Sequence, residues 1–307
     1  MAAERAQVMS RFPPIRILCP TDMSDLSRIA VRCALAWAKR FGAKAFVLAA
    51  RELGLPPRYF TAEQIATLTR QAEQAEDQVR ADLEKWVQGI GVPDTPFEAV
   101  VGPGPADRAI LRAIEVVRPD LVVMGTHGRS GYNRFLMGST TEKVIREIPV
   151  PLLTVREGCR RLALGPAGAV HLDIRRILCA ADDPKAPAAN LAAVAELARA
   201  WGATVTVLHS LEVPRWLATV PAGAREETER HLKQLVVSHA ADVRANVVVT
   251  EGPAYQRILE QAAREETDLI VVGGRRPGTD LPVFGSTAIR VMRHAPCPVL
   301  ALPGGGK

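Results

Sequence analysis

The residues of this chain whose types and spacing could do chemistry lie where an apolar run, Leu121-Val122-Val123-Met124, gives way to Gly125-Thr126-His127-Gly128. Ten residues beyond Gly128 comes Gly138-Ser139-Thr140-Thr141-Glu142. A strand that ends in a glycine-rich loop and feeds a helix points backbone N–H groups into one small space, beside the positive end of a helix dipole. Glycine lets a phosphate approach the backbone with no Cβ between, and it adopts positive φ without steric cost. Ser139 with Glu142 three residues on reads as a capping box, and Val144, Ile145 and Ile148 follow at helical spacing. The chemistry suggested is phosphate binding, and the plainer alternative is a tight strand-to-helix turn with an ordinary cap. No Gly-Lys-Ser/Thr follows, so this is not a P-loop. Nor do the glycines form G-x-G-x-x-G after the first strand, as a dinucleotide fingerprint requires.

Such a loop needs a strand before it and a helix after it, and both belong to a series. Residues 15–20 read as a short buried strand, after which Ser24 or Asp25 caps a helix through about Phe41, with Ile29, Leu35, Ala36 and Ala38 on its apolar side. Gly42 stops that helix. Residues 45–50 form a second strand. Thr61 with Gln64 makes another capping box, opening a long helix to about Gln88. Residues 95–101 and 149–155 supply strands three and five, with a helix over 105–117 before strand four. Strands alternating with helices predict a parallel sheet covered on both faces.

The series then starts again. Ile177-Leu178-Cys179 repeats Ile17-Leu18-Cys19, and Trp201-Gly202-Ala203 repeats Phe41-Gly42-Ala43, both at an offset of 160. Asp268-Leu269-Ile270-Val271-Val272-Gly273 repeats Asp120-Leu121-Val122-Val123-Met124-Gly125 at 148, and Pro296-Cys297-Pro298 repeats Pro149-Val150-Pro151 at 147. The falling offset makes the second copy's middle helical region shorter. The chain is a duplication, with residues 1–156 and 175–307 as the copies and the Gly-, Ala- and Pro-rich residues 157–174 as a linker.

At 307 residues and 48% hydrophobic content the chain can bury two cores. No apolar run reaches the length of a membrane span, and the first residues hold no apolar signal-peptide core, so a soluble cytoplasmic protein is expected. Cys19, Cys33, Cys159, Cys179 and Cys297 form no C-x-x-C pair or metal spacing and read as small buried hydrophobes in a reducing compartment. The net charge of +6 is spread, with 22 Lys/Arg against 18 Asp/Glu in residues 1–160 and 17 against 15 in the rest. Without a basic block and with only 5% aromatic residues, this argues against a nucleic-acid surface.

The spacing of Gly125, Gly128 and then Gly138-Ser139 resembles the ATP-binding motif of the universal stress protein family, and the duplication resembles that family's tandem members over nearly the whole chain. The resemblance implies an α/β fold of the adenine nucleotide alpha hydrolase-like kind. Two doubly wound five-stranded parallel sheets, each in the order 3-2-1-4-5, would form an intramolecular pseudo-dimer by pairing their fifth strands, residues 150–155 with Val299–Leu302. It also implies ATP, with or without magnesium, beyond the carboxyl ends of strands one and four. Pro20 and Thr21 would lie beneath the adenosine, Asp22 would take the ribose hydroxyls, and Ala50 would meet the adenine edge through its backbone. Met124 would pack under the adenosine or in the core. Gly125, Thr126, His127, Gly128 and Arg129 would form the phosphate loop, with Gly138, Ser139 and Thr140 presenting N–H and hydroxyl groups to the outer phosphates.

The second copy departs from the motif. Asp182 is kept, but the loop reads Gly273-Gly274-Arg275-Arg276-Pro277-Gly278, Gly285-Ser286 arrives one residue early, and Ile289 stands where a capping glutamate should be. Arg276 takes the place of Gly128, in volume that the phosphates need. The expected function is a non-catalytic, ATP-binding stress-response module that acts on an unidentified regulatory protein, with further homodimerisation open. The alternatives are a slow ATPase or nucleotidyl-transferring relative, and a sensor of another ligand such as AMP or a lipid. Against catalysis, the loop offers no lysine, no carboxylate pair for magnesium and no placed base.

Overall fold

The computed structural model describes residues 12–51, 61–90, 92, 95–126, 137–156, 162–164, 170–181, 188–213, 220–274 and 283–304. The first half runs β1 (Arg16–Thr21), α1 (Asp25–Phe41), β2 (Lys44–Arg51), α2 (Ala62–Gln88), β3 (Phe97–Pro103), α3 (Ala106–Val117), β4 (Leu121–Gly125), α4 (Ser139–Glu147) and β5 (Leu152–Val155). Helix boundaries follow the local chemistry. The Ser24 side chain accepts from the Ser27 N–H at the start of α1, and Gly42 ends it in the left-handed region at φ 64°. The capping box expected at Thr61 and Gln64 is present, and α2 ends at Gln88.

Between the halves, where a plain linker was expected, β6 (Leu162–Leu164) and β7 (Val170–Leu172) form a small antiparallel hairpin, with β7 lying against α1. Pairing with each other gives these two short strands partners for their backbone N–H and C=O groups. The second half then runs β8 (Arg176–Ala180), α5 (Ala188–Trp201), β9 (Thr204–Leu211), α6 (Ala224–Ala240), β10 (Ala245–Glu251), α7 (Ala254–Arg264), β11 (Leu269–Gly273), α8 (Ser286–His294) and β12 (Val299–Leu302).

All ten long strands join one sheet, in the order β3-β2-β1-β4-β5-β12-β11-β8-β9-β10. Each half therefore has the order 3-2-1-4-5, parallel throughout, and the halves meet in one antiparallel pairing of β5 with β12. There Thr154 faces Val299, Leu153 faces Leu300 and Leu152 faces Ala301. The side chains alternate across this seam. Leu153, Val155, Leu300 and Leu302 join the core on one face of the sheet, while Leu152, Val299 and Ala301 join the core on the other. Both cores thus run through both halves, and neither fifth strand leaves a row of unpaired N–H and C=O groups.

Two further features tie the repeat to its packing. Phe41 and Trp201, which occupy the same place in the two copies, meet at 5.2 Å between ring centroids, with Trp37 at 5.1 Å from Trp201. This aromatic cluster closes α1 against α5 across the approximate twofold axis. Asp120 explains why an aspartate precedes the fourth strand in both copies. Its Oδ2 accepts the N–H groups of Ile15 and Arg16, both at 2.9 Å, and Asp268 Oδ2 accepts those of Arg175 and Arg176 at the same distances. Each carboxylate thus holds the entrance of the first strand against that of the fourth. The expectation of small buried cysteines outside any disulfide holds for Cys19, Cys33, Cys179 and Cys297, and Cys159 lies outside the described residues. Among the described residues no helix is long and apolar enough to cross a membrane.

Candidate functional site

A cavity of about 290 Å³ opens at the carboxyl ends of β1, β2 and β4 in the first half. The parallel order turns there: from β1 the chain crosses to β2 on one side, while β4 lies on the other, so helices leave from opposite faces and a crevice is left between them. Pro20, Thr21 and Asp22 come from the end of β1, Leu48 and Ala50 from β2, and Met124 and Gly125 from β4. Gly138, Ser139, Thr140 and Thr141 enter from the start of α4. Nine of the thirteen sequence-selected residues are gathered here. Of the remaining four, His127, Gly128 and Arg129 lie outside the described residues, and Thr126 is described but has a different task.

Thr126 is 2% exposed and does not line the cavity. Its N–H donates to Val155 O at 2.9 Å, and its carbonyl accepts the N–H of Gly138 at 2.8 Å. It therefore pins the departing loop to β5 and the returning loop to itself. Gly138 is corrected with it, because its amide is already used to close the loop. The first turn of α4 remains: the N–H groups of Ser139, Thr140 and Thr141 precede the first helical bond, from Glu142 N–H to Gly138 O. These groups and the helix dipole give the cavity its positive end.

The capping box expected at Ser139 and Glu142 is not formed. Gly138 is the N-cap, no side chain caps the helix, and Glu142 Oε1 instead accepts from Arg293 Nη2 on α8. A charge-assisted bond to a guanidinium is stronger than a neutral bond to a backbone amide, and the partner comes from the other half of the chain. Thr141 supplies the local tether, its hydroxyl donating to Gly125 O at 3.0 Å. That bond fixes the distance between the end of β4 and the helix entrance.

At the opposite rim stands Asp22. It lines the cavity, and its Oδ1 accepts from Ser24 N at 3.1 Å and Ser24 Oγ at 2.6 Å. Thr21 Oγ1 accepts the N–H of Met23 at 2.9 Å and lies 2.8 Å from Ser27 Oγ. Between them Met23 takes the left-handed conformation at φ 58°, so the chain turns sharply and the carboxylate is held at the edge of the crevice. Ala50 is half-buried at the strand end, and Met124, 5% exposed, is both core and cavity floor.

Sequence reasoning missed Ser27, Leu48, Ala106, Ile110 and Thr141 as lining residues. Ala106 and Ile110 read only as a helix's apolar side, although their spacing of four does put them on one face. Their position depends on Gly102, where an added Cβ would lie 2.9 Å from Ala109 Cβ and 3.1 Å from Leu48 Cδ1. Only glycine lets β3 and α3 approach that closely. Cys19, at the end of β1, is no nucleophile, since burial pushes its thiol far above the ordinary range. Among the described residues no three His, Cys, Asp or Glu side chains are grouped to hold a metal ion.

In the second half a larger cavity, about 500 Å³, occupies the matching place. Ala180, Ala181 and Leu208 replace Pro20, Thr21 and Leu48, and Ala254 and Ile258 replace Ala106 and Ile110. Helix α8 begins at Ser286 behind Gly285, as α4 begins at Ser139 behind Gly138. Asp182, Arg275, Arg276, Pro277 and Gly278 lie outside the described residues.

Comparison with known proteins agrees with this architecture. The sequence model described as the universal stress protein family matches residues 15–156 and again 173–303. A universal stress protein of Methanocaldococcus jannaschii is 32% identical over 146 residues, covering 46% of this chain and 82% of the relative. One from Thermus aquaticus is 37% identical over 145 residues, covering 46% of this chain and 97% of the relative. Each spans about half of this chain, as one copy of a duplication should. The crystal structure of a universal stress protein from Archaeoglobus fulgidus superposes over 96% of this chain and all of its own, with a TM-score of 0.65 at 20% identity, which speaks to the fold alone. Two matches of the family model along one chain, joined through a shared sheet, make this a tandem member of the universal stress protein family.

Proposed function

We propose that the first half binds ATP in the cavity at the ends of β1, β2 and β4, and that the protein acts as a non-catalytic, nucleotide-dependent stress-response module. The observation that carries this reading is the placement, around one crevice, of a carboxylate and a helix entrance at opposite rims. Asp22 suits a ribose diol, because a carboxylate accepts from two hydroxyls at once. The amides of Ser139, Thr140 and Thr141 suit phosphate oxygens, and Pro20, Leu48, Ala50, Ile110 and Met124 leave an apolar slot for a flat base between them. His127, Gly128 and Arg129, where the family motif has its phosphate loop, would complete the cradle. Any magnesium would arrive on the phosphates rather than in a protein cage.

Phosphoryl transfer needs charge placed on the transferring group and an oriented nucleophile. The described lining offers neither a lysine nor an arginine, and its one carboxylate is committed to Ser24 at the ribose rim. A slow ATPase is the second reading. Titration calorimetry on the purified chain, followed by a phosphate-release time course, tests both together. Saturable ATP binding with no release over hours supports the proposal. Release that tracks site occupancy would make the protein an ATPase, and an absence of binding would return the cavity to an unassigned ligand.

A further inference from the structure

The second-half cavity has the same topological position as the first but a different wall. From the entrance of α8 only Thr287 takes part, where the first cavity has four residues of the α4 entrance. The lining has moved the other way, to the end of β9 and the approach to α6, with Leu211, Glu212, Val213, Val220 and Ala224. At about 500 Å³ it falls in the range of small-molecule sites.

Among the described residues, the polar side chains at the β9 end of this wall, His209, Ser210 and Glu212, are of one kind. His209 stands where the first half has Ala49, and it is 8% exposed, with Nδ1 at 2.6 Å from Ala181 O. A carbonyl only accepts, so Nδ1 carries a proton, and in that tautomer Nε2 is the acceptor. Ser210 Oγ donates to Gly252 O at 2.7 Å, which leaves its oxygen as an acceptor. Glu212 Oε1 accepts the N–H of Ala254 at 2.7 Å, so the protein's own carboxylate occupies the entrance of α7. That entrance would otherwise favour an anion from solution. The hydroxyl of Thr21 has become the methyl of Ala181. Apolar Leu208, Val213, Val220 and Ile258 supply much of the remaining surface.

We propose that this cavity is a second ligand site, for a phosphate-free, amphipathic molecule bearing an N–H donor such as an amine, and that it excludes nucleoside polyphosphates. The contrast with ATP rests on the function proposed for the first half, but the existence and charge preference of the second site do not.

A matched pair of probes tests it: 2-phenylethylamine and phenylacetate, alike in shape and opposite in charge, each titrated calorimetrically into the full chain with and without saturating ATP. One amine per chain should bind whether or not ATP is present, and roughly tenfold more tightly than the acid. Glu212→Gln, at an exposed position, should bring the two probes within roughly threefold of each other. Ala224→Leu, which adds bulk to the wall, should weaken the amine while leaving ATP binding unchanged. Failure of the amine to bind, equal binding of the acid, indifference to both substitutions, or displacement of the amine by ATP would each overturn the site. Amine binding by a chain that takes no ATP would support this site while removing the function proposed for the first half.

Discussion

Asp120 in the first half and Asp268 in the second each accept two backbone N–H groups, from Ile15 and Arg16 and from Arg175 and Arg176, all at 2.9 Å. Gly42 and Gly202, ending the first helix of each half, share φ 64°. The ends of the strands behave otherwise. Thr141, which ties α4 to Gly125 O, is matched by Ala288, and Glu142, which reaches Arg293, is matched by Ile289. Helix α2 has 27 residues where α6 has 17. The parts held alike are those that satisfy backbone groups at strand and helix termini, where a lost partner strands a buried donor. The parts that differ include the crevice linings, where a changed side chain alters what can bind without unpairing the sheet.

That contrast can be broken or sharpened at four points. The largest effect is expected from dividing the shared seam. Residues 1–156 alone would leave β5 with an unpaired edge and expose Leu152 and Leu153, which are fully buried against β12. Sedimentation velocity should show a homodimer or aggregates, and a monomer that persists at high concentration would mean that the halves do not depend on one another's edge. Next in size is the ligand difference. Asp22→Ala should weaken ATP binding by roughly ten- to a hundredfold, the loss of a charge-assisted pair of bonds, while Asp182→Ala leaves it unchanged. Calorimetry giving two equivalent ATP sites per chain would erase the asymmetry.

Smaller effects probe the framework. Asp120→Ala and Asp268→Ala should each cost about 2 kcal/mol, because two N–H groups lose their partner in both cases. Urea unfolding should show similar midpoint shifts for the two, and a large inequality would show that the matching hydrogen bonds hide unequal roles. Smallest is the tether, where Thr141→Val leaves Gly125 O without its donor at a cost of about 1 kcal/mol. Ala288→Thr, placing a hydroxyl at the matching position, should restore nothing comparable unless Gly273 O lies within its reach. Thermal melting compares the two directly.

Much of this was legible along the chain, for a reason common to its parts. Strand and helix periodicity, the Ser24, Thr61 and Gly42 termini, and the repeat at offsets of 160 and 147 are local or self-comparing signals, settled by backbone sterics and apolar spacing within a few residues. They sufficed to place Asp22, Met124, Gly125 and Ser139 at the same end of one sheet. What they could not decide was which partner a polar group takes when a distant one competes. Glu142 lies three residues from Ser139, but Arg293 is brought to it by the pairing of β5 with β12, and the ion pair replaces the cap. Thr126 has the composition of a binding-loop residue, but Val155 O and Gly138 N take its backbone, and it becomes a hinge pin. Glu212 and Ala254 are 42 residues apart, and only the crossing from β9 through α6 and β10 sets that carboxylate at the entrance of α7. Sequence determined the elements, their order and their duplication because these depend on neighbours in the chain. Tertiary structure decided the occupants of each crevice wall, because hydrogen bonds there are won by whichever partner the packed sheet brings within 3 Å.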